Sequence, residues 1–129
     1  MRVVVDASVV IDGLINVSSR GEKCRNMLNS SDVFVPGLIF SEVSNVLRRY
    51  ELTGTPDVDG LFAQLLDMPW ETIAFEHYAR LVWPLRHDVS LYDAAYVALA
   101  MVLKVPLVTL DRKLAAAAKP YCELLIPGE

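Results

Sequence analysis

Arg2-Val3-Val4-Val5-Asp6-Ala7-Ser8 places three consecutive β-branched residues directly before a carboxylate. A run that is apolar at every position, rather than at alternate ones, reads as a strand buried on both faces, the kind found inside a parallel sheet. The acid that ends it stands where the buried element breaks. From Ala7 to Asn16 the pattern turns helical. Ser18-Ser19 then offers caps for a second helix running to about Leu28.

The same alternation continues along the chain. Val33-Phe34-Val35 predicts a second strand closed by Pro36-Gly37, followed by a helix from Leu38 to Tyr50 with Ile39, Val43, Val46, Leu47 and Tyr50 on its apolar stripe. After the break at Gly54-Thr55-Pro56, helices are predicted over 58–66 and 75–85, with a short edge strand over 70–73 between them. Ser90 precedes a helix over 91–103 that is apolar on nearly every side and so reads as buried. Strands over 107–109 and 122–126 flank an alanine-rich helix that begins at Asp111 and ends at Lys119-Pro120. Strands alternating with helices predict a three-layer α/β sandwich around a parallel sheet of about five strands. In such folds function sits at the carboxyl ends of the strands.

Bulk properties bound the function. At 129 residues the chain is read as one domain, residues 1–129, and 53% hydrophobic content marks a packed globular protein. The uncharged stretch from Ala94 stops at Lys104, short of the roughly 18–20 residues a membrane span needs. Asp6 and Asp12 interrupt the start too early for a signal peptide. Cys24 and Cys122 lack any CxxC spacing and read as core residues of a reducing cytoplasm. The net charge of −4 argues against a broad basic face for nucleic acid, so any RNA binding has to be local.

Four acids stand at the breaks of hydrophobic elements: Asp6, Glu42, Asp93 and Asp111. Each has an ordinary reading. Ser90-Leu91-Tyr92-Asp93 has the form of a capping box, Asp111 is placed to cap its helix, and Glu42 can be a surface residue. As a set they read differently. Two like charges about 4 Å apart repel by roughly 4 kcal/mol at an effective dielectric of 20, so four ionised carboxylates in one pocket call for a cation. Hard oxygen ligands suit Mg²⁺ or Mn²⁺, and no Cys or His cluster has zinc spacing. Such a site supports phosphodiester hydrolysis. Ser8 is placed to hold Asp6 or a phosphate, or simply to cap the helix. Asn45 lies three residues after Glu42 on the same helical face, and Arg49 and Arg112 are candidate contacts for an RNA backbone. His77 and His87 stand alone, and Trp70 and Trp83 read as core or interface aromatics.

The segments Val3 to Ser8, Ser41-Glu42-Val43-Ser44-Asn45-Val46-Leu47, Ser90 to Ala100 and Leu107 to Leu114 together resemble a PIN domain, and more narrowly the VapC-type ribonuclease toxins of bacterial toxin–antitoxin pairs. The resemblance covers nearly the whole chain. It implies a Mg²⁺- or Mn²⁺-dependent endoribonuclease with Asp6 and Asp93 as metal ligands, Glu42 binding directly or through water, and Asp111 completing the acidic site. Ser8 and Thr109 match the hydroxyl positions beside those acids. It further implies a homodimer and a small DNA-binding antitoxin whose tail covers the site. A catalytically silent PIN-like module that binds a protein or RNA is the alternative. A phospho-acceptor receiver domain would want a second acid beside Asp6, where this chain has Val5, and a lysine where it has Asp111.

Overall fold

The computed structural model describes residues 1–129. Five parallel strands form the sheet: β1 (Arg2–Val5), β2 (Asp32–Pro36), β3 (Glu71–Ile73), β4 (Leu107–Val108) and β5 (Leu124–Leu125). Their spatial order is β3-β2-β1-β4-β5. Seven α-helices connect them: α1 (Ala7–Ile15), α2 (Ser19–Ser30), α3 (Leu38–Leu52), α4 (Val58–Leu66), α5 (Ala79–Val82), α6 (Leu91–Leu103) and α7 (Arg112–Ala118). Right-handed crossovers in this order put α1–α4 on one face of the sheet and α5–α7 on the other. The α/β sandwich and its five-stranded parallel sheet are as the sequence predicts.

The three valines of β1 are fully buried because β1 is the central strand. Val4 pairs with Phe34 of β2 on one side and Leu107 of β4 on the other. From β1 the chain first winds outward through β2 and β3, then returns to the opposite side through β4 and β5. The order therefore reverses between β1 and β4, and a crevice opens above their carboxyl ends at such a switch point. Asp6 follows β1 there, and Thr109 follows β4.

Packing explains the remaining layers. Ala94 to Ala100 of α6 are all buried, and the four alanines among them let the helix lie close against β1 and β2. On the other face, α2 folds back against α1 so closely that a Cβ on Gly21 would stand 1.8 Å from the Asn16 carbonyl oxygen. No helix is long and apolar enough to cross a membrane.

Three expectations change. The predicted helix over 75–85 is broken into a 3₁₀ turn at Phe75–His77, the four-residue α5, and a second 3₁₀ turn at Trp83–His87. Pro84 has no N–H to continue an α-helical ladder, and Tyr78 leaves helical geometry at φ −135° while its hydroxyl donates to the Ile73 carbonyl. Tyr50 is not on the buried stripe of α3 but 37% exposed, in the last turn of the helix. Leu91, Tyr92 and Val102, at the two ends of α6, are exposed rather than buried.

Candidate active site

Asp6 is the centre of the switch-point crevice. It caps α1: its Oδ1 accepts from the Ser8 N–H at 3.1 Å and from the Ser8 hydroxyl at 2.5 Å. Its Oδ2 accepts from the Thr109 hydroxyl at 2.6 Å. Each hydroxyl is used twice. Ser8 Oγ accepts from the Leu110 N–H at 3.0 Å, and Thr109 Oγ1 accepts from the Asp111 N–H at 2.9 Å. This ring locks the β1–α1 turn to the β4–α7 turn, so the position of Asp6 is fixed by both halves of the sheet. Ser8 thus holds the acid, and the capping of α1 falls to Asp6 rather than to Ser8.

The other three acids come from three helices. Glu42, on the second turn of α3, accepts at Oε1 from the hydroxyl of Tyr96 on α6 at 2.6 Å. Asp93 lies in the first turn of α6, whose start is capped by Ser90 Oγ accepting from the Asp93 N–H at 3.1 Å. Asp111 caps α7, its Oδ1 accepting from the N–H groups of Lys113 and Leu114 at 2.9 and 3.1 Å. The capping readings of Asp111 and of the Ser90 turn are therefore real, and each leaves carboxylate oxygen atoms free.

Electrostatically the group is strained. Burial raises the Asp6 carboxyl to about 6, against the opposing pull of its hydrogen bonds from Ser8 and Thr109. Burial also raises Glu42, opposed by the Tyr96 hydrogen bond and reinforced by the charge of Asp93. Asp93 is raised by burial and by the charge of Asp111. Glu42, Asp93 and Asp111 thus sense one another in sequence across the crevice, whereas Asp6 is raised by burial alone. The two ion pairs of the chain, Arg20–Asp12 and Arg112–Glu129, involve none of them.

Neutral hydroxyls orient Asp6 and Glu42, backbone N–H groups orient Asp111, and no ion pair neutralises any of the four acids. An all-oxygen set with uncompensated negative charge fits Mg²⁺ or Mn²⁺ in its donor chemistry. The side chains are not closed into a coordination shell, since no three Asp, Glu, His or Cys side chains stand close enough together to hold an ion. Two supporting residues lie apart from the acids: Asn45 is exposed without a hydrogen bond to Glu42, and Arg112 pairs with Glu129 on the surface. Tyr96 was not singled out by the sequence reasoning. The available signal was a tyrosine inside the apolar run 94–103, one turn after Asp93, because a buried tyrosine hydroxyl seeks a partner.

Comparison with known proteins places this geometry in context. The family model described as the PIN domain matches residues 3–120. Ribonuclease VapC1 of Mycobacterium tuberculosis is 39% identical over 125 residues, which cover 94% of either chain. Among solved structures, Mycobacterium tuberculosis VapC20, described as a sarcin-ricin loop cleaving toxin, superposes with a TM-score of 0.67 at 18% identity, covering 89% of this chain and 94% of that one. VapBC2 of Rickettsia felis, bound to a DNA fragment from its promoter, gives a TM-score of 0.65 at 13% identity with 98% of each chain covered. These structural likenesses establish the shared fold.

Proposed function

The chain belongs to the PIN-domain family, among its VapC ribonucleases, and from that premise we propose that it is the toxin of a toxin–antitoxin pair, a Mg²⁺- or Mn²⁺-dependent endoribonuclease acting through Asp6, Glu42, Asp93 and Asp111. One observation supports the reading: the acids come to the switch-point crevice from both halves of the sheet, the charge of Asp93 raises Glu42 and that of Asp111 raises Asp93, and neither ion pair of the chain involves any of the four. When bound, the divalent cation supplies Lewis-acid polarisation of the phosphate and lowers the pKa of an attacking water.

The chain's own residues hold and orient. Ser8 and Thr109 fix Asp6 without neutralising it, so its charge stays available to the cation. Asp111 uses Oδ1 as a helix cap and keeps Oδ2 for the site. In the hydrolysis a water oxygen forms the new bond to phosphorus, the bond to the leaving oxygen breaks, and that oxygen takes a proton. RNA affinity is local. Arg112 is held only by an exposed pair with Glu129, a class of interaction worth about 0–1 kcal/mol, so a phosphate can displace the glutamate. Asn45 and Arg49 are exposed on α3, the helix that carries Glu42.

Cleavage of an RNA pool with Mn²⁺, stopped by EDTA, is the expected result for this reading. No cleavage of any RNA in the pool would favour the silent-module alternative. The proposed antitoxin is a small DNA-binding protein, in keeping with the promoter-bound VapBC2 relative in fold.

A second copy of this chain is the other proposed partner. An apolar groove of about 440 Å³ opens between α3, α5 and α6, lined by Leu38, Phe75, Val82, Trp83, Leu91 and Tyr92 among others. Trp83 is 60% exposed and Tyr92 69%. With Phe75 these aromatics leave roughly 350 Å² of ring-bearing surface in water, about half of the ~800 Å² each partner gives to a standard interface. Sedimentation should show a dimer that Trp83→Glu converts to monomer; an unchanged mass would remove the groove from the interface.

A further inference from the structure

We infer that Tyr96 is a positioning residue that holds Glu42 in place for the divalent cation. The inference rests on the metal-dependent reading above and assigns a role to a side chain outside the four acids. Tyr96 is 1% exposed, and its ring is part of the core. The core positions around it on α6 are Ala94, Ala95, Val97, Ala98, Leu99 and Ala100, so packing there is achieved by aliphatic residues. A phenylalanine would fill the same volume. The hydroxyl is what the aliphatic surroundings do not explain, and it donates to Glu42 Oε1 at 2.6 Å.

That bond joins the two faces of the fold. Glu42 is carried by α3 and Tyr96 by α6, so the contact crosses the crevice at the carboxyl edge of the sheet. Glu42 has three side-chain torsions and no other hydrogen-bond partner within the protein, whereas Asp6 is held by two hydroxyls and a backbone N–H. Without Tyr96 the glutamate would sample several rotamers, and ordering it would weigh against cation binding. With Oε1 engaged by the phenol, Oε2 is the oxygen presented to the cation. A neutral donor is suited to this role, because a lysine or arginine at position 96 would satisfy Glu42 by occupying the cation's place. Tyr96 therefore extends to Glu42 the principle seen at Asp6, where hydroxyls orient a carboxylate and leave its charge intact.

The test measures Mn²⁺ affinity in the absence of RNA, from the paramagnetic resonance signal of free Mn²⁺, for the full chain and for Tyr96→Phe, Glu42→Gln and the double variant. Loss of a partner that orients a metal ligand typically weakens binding by about 10–100-fold, and Tyr96→Phe should fall in that range. In the Glu42→Gln background the same change should have no further effect, because Tyr96 acts through Glu42. A Tyr96→Phe protein that binds Mn²⁺ like the unaltered chain would overturn the inference, as would an equal loss in both backgrounds. If the unaltered chain itself binds no Mn²⁺, the metal-dependent reading fails and this inference falls with it.

Discussion

Asp93→Asn should abolish RNA cleavage while leaving the protein folded, and bacteria producing it without antitoxin should grow where the unaltered chain arrests them. The substitution is close to isosteric and removes one charge. The α6 cap is made by Ser90 Oγ to the Asp93 backbone N–H, so that bond survives the change of side chain. What is lost is a carboxylate facing Asp111 and Glu42 across the crevice. Removing one group from a preorganised electrostatic site lowers turnover by on the order of 10²–10³, enough to end both activities in an assay. The competing account, in which Asp93 only complements the helix dipole, makes the opposite forecast. Stability would then drop by about 0.3–1 kcal/mol, and cleavage would persist within a few-fold. Paired measurements of melting temperature and cleavage rate on the same preparation separate the two.

Why the frame was legible and parts of the site were not follows from the range of the interactions involved. Buried central strands and helices carry their environment in local composition, which is why Val3-Val4-Val5 reads as β1 and why the runs 58–66 and 91–103 match α4 and α6 at both ends. The acids were legible because each interrupts such a run. The 75–87 segment was not, since its apolar spacing suits a helix while Pro84 and the Tyr78 contact to Ile73 divide it. Tyr96 and Glu42 lie in separate helices, and nothing in either segment alone shows that their side chains meet. Trp83 had two readings, core or interface; only the turn made by Pro84, with Arg86 stacked 4.3 Å over the indole ring, shows it on the surface. Conversely, spacing placed Asn45 beside Glu42 on one helical face, yet a shared face does not make a contact.

The metal-free protein should lose stability as pH rises from about 4 to about 6, and Mn²⁺ should restore it at neutral pH. Asp6 has an ordinary value of 3.8 that burial raises to about 6 in the fold. Below 4 the carboxyl is protonated in both the native and the unfolded chain, so burial is tolerated. Between the two values the unfolded chain has released its proton while the native chain retains it, and each further pH unit favours unfolding. The difference amounts to at most about 3 kcal/mol, reached above pH 6, from 1.36 kcal/mol per unit. Glu42 and Asp93 are raised as well and act in the same direction. Asp6→Asn should therefore flatten the slope, though its single acceptor oxygen forfeits a bond from Ser8 or Thr109 worth about 1 kcal/mol. A cation reverses the penalty: it binds the ionised carboxylates, so its affinity should climb as the Asp6 proton leaves. At a hundredfold excess over its dissociation constant it would add about 2.7 kcal/mol. Urea unfolding across this pH range, with and without Mn²⁺, measures both effects. Stability that rises with pH in the metal-free chain, or a Mn²⁺ effect as large at pH 5 as at pH 7, would show that the buried acid is not what the cation compensates.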